Sequence, residues 1–100
     1  MEQKIYVTVS HLDDFEGSCF LRTGETLRLV KDKDNPYDDE AIVARSENGC
    51  RCGYVANSVT TVARGTYSAG RVYDLFEGET ECLVRFIFTE EGCLIAELGH

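Results

Sequence analysis

The sequence predicts a mostly β fold: a small, partly open antiparallel barrel of about six strands with one or two short helices. Three observations predict it. Short runs rich in β-branched and aromatic residues recur along the chain. Turn signals separate them, and only one stretch carries a helical apolar face. At 100 residues the chain fits one domain, residues 1–100, with no internal repeat and no proline-rich linker.

The first strand is expected at Ile5-Tyr6-Val7-Thr8-Val9. Thr26 to Lys31 alternates Leu27 and Leu29 with Arg28, the pattern of a half-buried strand. Ala41 to Arg45 forms a third. Glu47-Asn48-Gly49 then signals a tight turn, because Asn-Gly tolerates the positive φ that hairpins require. A fourth strand runs from about Cys50 to Val55. A helix is expected next, with Asn57 or Ser58 as N-cap, Val59, Val62 and Ala63 on one face, and Gly65 as C-cap. Ser68 to Phe76 fits either a second helical turn or an irregular crossing. Glu81 to Thr89 and Cys93 to Leu98 complete the set across Glu90-Glu91-Gly92.

Charge narrows the function classes. The chain carries −8, so bulk attraction to phosphate or to an anionic membrane surface is absent. The charge is uneven, however. Residues 41–76 hold Arg45, Arg51, Arg64 and Arg71 against Glu47 and Asp74, a net +2 that leaves −10 elsewhere. A locally basic face on an acidic body is the one opening for an anionic ligand. No apolar run approaches the roughly 18 residues of a membrane span. Glu2, Gln3 and Lys4 follow Met1 without a signal-peptide core, so a soluble, cytoplasmic protein is expected.

The cysteines are Cys19, Cys50, Cys52, Cys82 and Cys93, an odd number that argues against a disulfide framework. Cys50-x-Cys52 would place two thiols on one strand face rather than at zinc-knuckle spacing. Cys82 and Cys93 sit inside apolar runs and read as small buried hydrophobes. No metal and no cofactor are expected. The histidines are His11 and His100, neither near a serine or cysteine in sequence, and no phosphate-loop, dinucleotide or zinc-protease motif occurs. A non-catalytic chain follows.

The informative stretch is Asp32-Lys33-Asp34-Asn35-Pro36-Tyr37-Asp38-Asp39-Glu40. Pro36 fixes its own φ and drives Asn35 into extended geometry. Asp34, Asn35 and Asp38 can each bond nearby backbone in Asx-turns. The loop should therefore be rigid and hold Tyr37 and Asp38 in defined directions. A fixed aromatic beside an acceptor carboxylate suits stacking on a flat group while gripping a hydroxyl or amine. Composition equally allows Tyr37 as loop packing and Asp38 as a turn-former. A calcium loop counted from Asp32 fails, with Pro36 at the fifth position, Tyr37 where glycine is needed, and Val43 at the closing glutamate.

Leu27 to Lys31, then Asn35-Pro36-Tyr37-Asp38-Asp39-Glu40-Ala41-Ile42, the Asn-Gly turn and Gly53-Tyr54-Val55 together resemble the HIRAN domain family. The resemblance covers roughly residues 5–76. It implies a modified oligonucleotide-binding-type barrel, found alone in bacteria and phages or fused to helicase-like ATPases and nucleases. It implies capture of the 3′ end of single-stranded DNA in repair or replication, alongside a helicase or nuclease on a separate chain. Carried over, Tyr37 stacks on the terminal base and Asp38 accepts from the 3′-hydroxyl. Asn35 and Asp34 shape the pocket, Phe15 offers a second ring, and Tyr54 and Asn57 stand where the family offers a polar ring and a phosphate-contacting lysine.

Two departures bear on the ligand. Asn57 replaces that lysine, and Asp14 precedes Phe15 where a basic residue is expected. Arg51, Arg64 and Arg71 are then the substitute phosphate contacts, and weak, salt-sensitive binding is expected. The rival class is an acidic HIRAN-like module that binds protein.

Overall fold

The computed structural model describes residues 4–15, 21–58 and 60–98. Cys19, Val59 and His100 lie outside the described residues. Six strands form one antiparallel sheet: β1 (Tyr6–Ser10), β2 (Thr26–Lys31), β3 (Ile42–Arg45), β4 (Arg51–Val55), β5 (Glu79–Phe88) and β6 (Cys93–Leu98). The order β1-β4-β3-β2-β5-β6 closes into a barrel through β1–β6 pairing from Tyr6↔Glu97 to Val9↔Leu94. Closure removes sheet edges that would otherwise recruit other chains.

Period-2 alternation builds the interior. Val7, Val9, Leu27, Leu29, Ile42 and Ala44 point inward and are buried, as are Cys52, Cys82, Val84, Leu94 and Ala96. The short helix α1 (Ala69–Val72) adds Ala69 and Val72 to that core, and a 3₁₀ turn over Tyr73–Leu75 follows it.

The β1–β4 seam is short, limited to Val9↔Val55 and Ser10↔Tyr54. The rest of this β1 edge is covered by the chain after β4. Ala56 N–H donates to the Thr8 carbonyl (2.7 Å), and Tyr67 N–H to the Tyr6 carbonyl (2.7 Å). The helix expected over 57–65 is replaced here: the described residues of 58–65 form turns, starting where Thr61 and Val62 N–H bond the Ser58 carbonyl. β-Branched Thr and Val residues propagate a helix poorly, and the Ala56 and Tyr67 bonds to β1 anchor the segment at both ends. The helical turn lies later, in the 68–76 stretch that sequence left open.

Thr8 is the one buried polar side chain among the described residues, and its hydroxyl organises this segment. Ala63 N–H donates to Thr8 Oγ1 (3.1 Å), and Thr66 Oγ1 donates to the Ala63 carbonyl (2.7 Å). Thr66 has spent its proton there, so Thr8 Oγ1 donates to Thr66 Oγ1 across 2.8 Å. The three bonds form a closed circuit, which fixes the 63–66 turn to the barrel wall.

Two local expectations are corrected. In the 46–49 turn only Gly49 has positive φ (86°), so Asn48 does not adopt the mirror-image turn geometry. Gly49 N–H bonds the Ser46 carbonyl instead, and β3 and β4 resume pairing across a bulge at Arg45↔Arg51. Cys50 precedes β4 and is exposed, while Cys52 is buried, so the two thiols share no strand face.

A candidate strand-end cleft

The ends of β1 and β4 and the loop joining β2 to β3 meet at one side of the barrel. The loop is held by its own side chains. Asn35 Oδ1 accepts from both Tyr37 N–H (2.8 Å) and Asp38 N–H (3.1 Å). Asp38 Oδ1 accepts from Glu40 N–H (2.9 Å). Backbone bonds from Asp32 N–H to the Ala41 carbonyl (2.8 Å) and from Ala41 N–H to the Asp38 carbonyl (3.3 Å) close its base.

Asp32 is the hub that sequence reasoning missed, having weighed it only as a calcium ligand. Its Oδ2 accepts from Asn35 Nδ2 and from the Tyr54 hydroxyl, each at 3.3 Å. That couples the loop to β4. Tyr54 in turn meets the Phe15 ring, with centroids 6.0 Å apart and planes tilted by 52°. Gly53 lets Tyr54 sit there: a side chain at 53 would overlap the Ser10 carbonyl oxygen and press Val9 and Leu12. Its role is close approach of β1 and β4, not turn geometry.

Together these residues border a cleft of about 380 Å³, within the range of ligand sites. Asn35, Tyr37, Asp38, Tyr54 and Asn57 line it, over an apolar floor of Ala41, Val55 and Ala56. Small residues there leave room for a flat group. The Tyr37 ring is 95% exposed, turned outward at the rim rather than packed into its loop.

Asn57 does not project a free polar group. Its Nδ2 donates to Asp38 Oδ2 (3.1 Å), and its Oδ1 accepts from Gly70 N–H (2.8 Å). It clamps the carboxylate to α1. A Cβ on Gly70 would lie 2.6 Å from a Glu40 carboxylate oxygen, so glycine lets that acid lie against the same junction.

The remaining predicted residues divide by position. Asp34 is exposed in the loop and Phe15 is half-buried behind Tyr54; neither borders the cleft. Arg51 stands at the far end of β4, paired with Arg45. Arg64 and Arg71 border an adjoining groove that shares Asn57 and Ser58 with the cleft. Among the described residues, no lysine or arginine lines the cleft itself.

Ser10, His11, Ser58 and Thr61 also line it and were not among the site residues expected from sequence. His11 is the one non-glycine residue with positive φ (61°) among the described residues, at the β1 exit, with Nδ1 3.3 Å from Asp14 Oδ2. Positive φ at a histidine is uncommon, and only coordinates reveal it.

A family model described as the HIRAN domain matches residues 4–82. No curated protein matches the sequence. Among solved structures, the HIRAN domain of human HLTF superposes with a TM-score of 0.71 at 21% identity, covering 95% of this chain and 72% of that one. A Lactobacillus plantarum protein gives a TM-score of 0.68 at 19% identity, covering 96% and 93%. With four-fifths of its length inside the matched region and its barrel shared with that human domain, the chain belongs to the HIRAN domain family.

Proposed function

We propose that the protein is a non-catalytic module that captures the 3′ end of single-stranded DNA through this cleft, in the setting of repair or replication. Family membership supports a DNA-binding module in general. The single observation that carries the finer reading is the outward Tyr37 ring beside the Asp38 carboxylate, both held by Asn35. An aromatic exposed at the rim of a concave site, on a braced loop, is arranged to stack on another flat group.

The acid supplies end selectivity. Each Asp38 oxygen already accepts one hydrogen bond and retains a further lone pair. A terminal hydroxyl can donate to it. An internal nucleotide would bring a phosphate against the same carboxylate, and two anions repel.

Competition with a closed single-stranded circle tests the reading. A linear oligonucleotide should displace a labelled strand at low salt, and a circle of the same sequence should not. Tyr37→Ala should weaken linear binding about 5- to 150-fold, the worth of one stacked base at about 1–3 kcal/mol. Equal competition by circle and linear strand would refute end capture.

One observation favours a second reading. Phe86 (58% exposed) and Phe88 (41%) lie on the outer face of β5, opposite Ile95 and Cys93 of β6. If no oligonucleotide binds at low salt, this apolar face on an acidic domain makes the chain a protein-interaction module.

A further inference from the structure

We propose that the groove beside the cleft is a phosphodiester site, which takes the backbone of the strand as it leaves the terminal nucleotide in the 5′ direction. This rests on the strand-end reading of the cleft. It assigns Arg64 and Arg71 to phosphates and leaves Arg51 out.

The groove encloses about 370 Å³ and joins the cleft across Asn57 and Ser58. A strand anchored at Tyr37 has two ways out. One passes Asp34 and Asp39, which are exposed acids, while Glu40 lies against the Asn57–Gly70 junction between the two. The other crosses Asn57 and Ser58 into the groove, where Arg64 and Arg71 form no ion pair with a described residue. Three other cations are committed: Arg28 to Glu79, Arg85 to Glu97, and Lys31 over the Tyr73 and Phe76 rings. An anionic chain is therefore drawn to the second exit.

Before any ligand arrives, Arg64 is anchored through its backbone and Arg71 through its side chain. Arg64 sits in the turn from Ala63 to Thr66, where Gly65 has φ of 91° and Thr66 N–H bonds the Ala63 carbonyl. Glycine is the residue that adopts this left-handed position without strain. The hydroxyl circuit of Thr8, Thr66 and Ala63 anchors the same turn to β1. Arg71 lies over the Tyr67 ring, its guanidinium carbon 4.3 Å from the centroid. Stacking on a ring fixes the guanidinium plane and leaves its N–H groups directed at oxygen acceptors. Asn57, locked between Asp38 and Gly70, is the fixed ridge between the two compartments. The cation missing at position 57 is thus supplied from the far side of that ridge.

The test compares 3′-hydroxyl dinucleotides with hexanucleotides by fluorescence anisotropy across salt. The hexamer should bind tighter and with a steeper salt slope. Arg64→Gln and Arg71→Gln should each weaken the hexamer about five- to tenfold at 50 mM salt, lower its slope by about 0.7, and affect the dinucleotide, which carries a single phosphodiester, less. Undiminished hexamer affinity and slope in the double variant would overturn the proposal. A second arm is independent of strand ends: titrate ¹⁵N-labelled protein with inorganic pyrophosphate. Amide shifts confined to residues 63–71, abolished in the double variant, support the groove even if no DNA end binds the cleft. Pyrophosphate that moves no amide there overturns it.

Discussion

The Asn35 side chain braces the loop that forms one wall of the cleft. Its carbonyl caps Tyr37 and Asp38, and its amide donates to Asp32. Asn35→Ala should cost about 1–2 kcal/mol in urea unfolding, since such bonds contribute about 0.5–1.5 kcal/mol each when partly exposed. Asn35→Asp keeps the two backbone caps and sets a carboxylate against Asp32. Two carboxylates held together repel in the folded protein, and protonating either one relieves that repulsion. The deficit of the variant should therefore be largest at pH 7 and shrink as pH falls through about 4. A deficit independent of pH would show that the two side chains do not meet. The thiols give a second residue-scale expectation. Burial pushes the Cys82 thiol up to about 12 and also raises Cys52. Iodoacetamide at pH 8 should modify exposed Cys50 within minutes and leave Cys52 and Cys82 untouched until the protein is unfolded, as read by peptide mass mapping.

At the scale of elements, the strands and the braced loop were legible because their signals are local. Alternation in Thr26–Lys31 and the Asn-Pro-Tyr-Asp turn chemistry each act within a few residues. The 58–66 segment was not legible, because its conformation is set by Thr8, more than fifty residues away. A lone threonine in an apolar strand gives no hint that it organises a distant turn. Gly53 was visible as a motif letter but not as a contact. Gly53→Ala should destabilise the protein by about 1–3 kcal/mol, the range for overpacking a close approach, and disturb Ser10 and Tyr54 at the cleft wall. Gly49→Ala, with open space around its Cβ position, should cost less, about 1 kcal/mol from the left-handed φ alone. Equal costs at the two sites would remove the close-approach explanation.

Across the whole molecule, a net charge of −8 opposes nucleic acid, and the proposed end capture meets this by separating tasks. In the proposed reading a ring and an acid at the cleft take the terminus, while cations stand in the groove beyond Asn57. The sequence pointed to a basic segment over 41–76, but only the fold divides it, sending Arg51 to the opposite end of β4 from Tyr54. What remains central is recognition of a free alcohol by Asp38. The direct measurement is the affinity of one oligonucleotide ending in a 3′-hydroxyl against the same sequence ending in a 3′-phosphate, at low salt. The account predicts at least about tenfold preference for the hydroxyl, one charge-assisted hydrogen bond replaced by repulsion. Equal affinity for the two ends would contradict it.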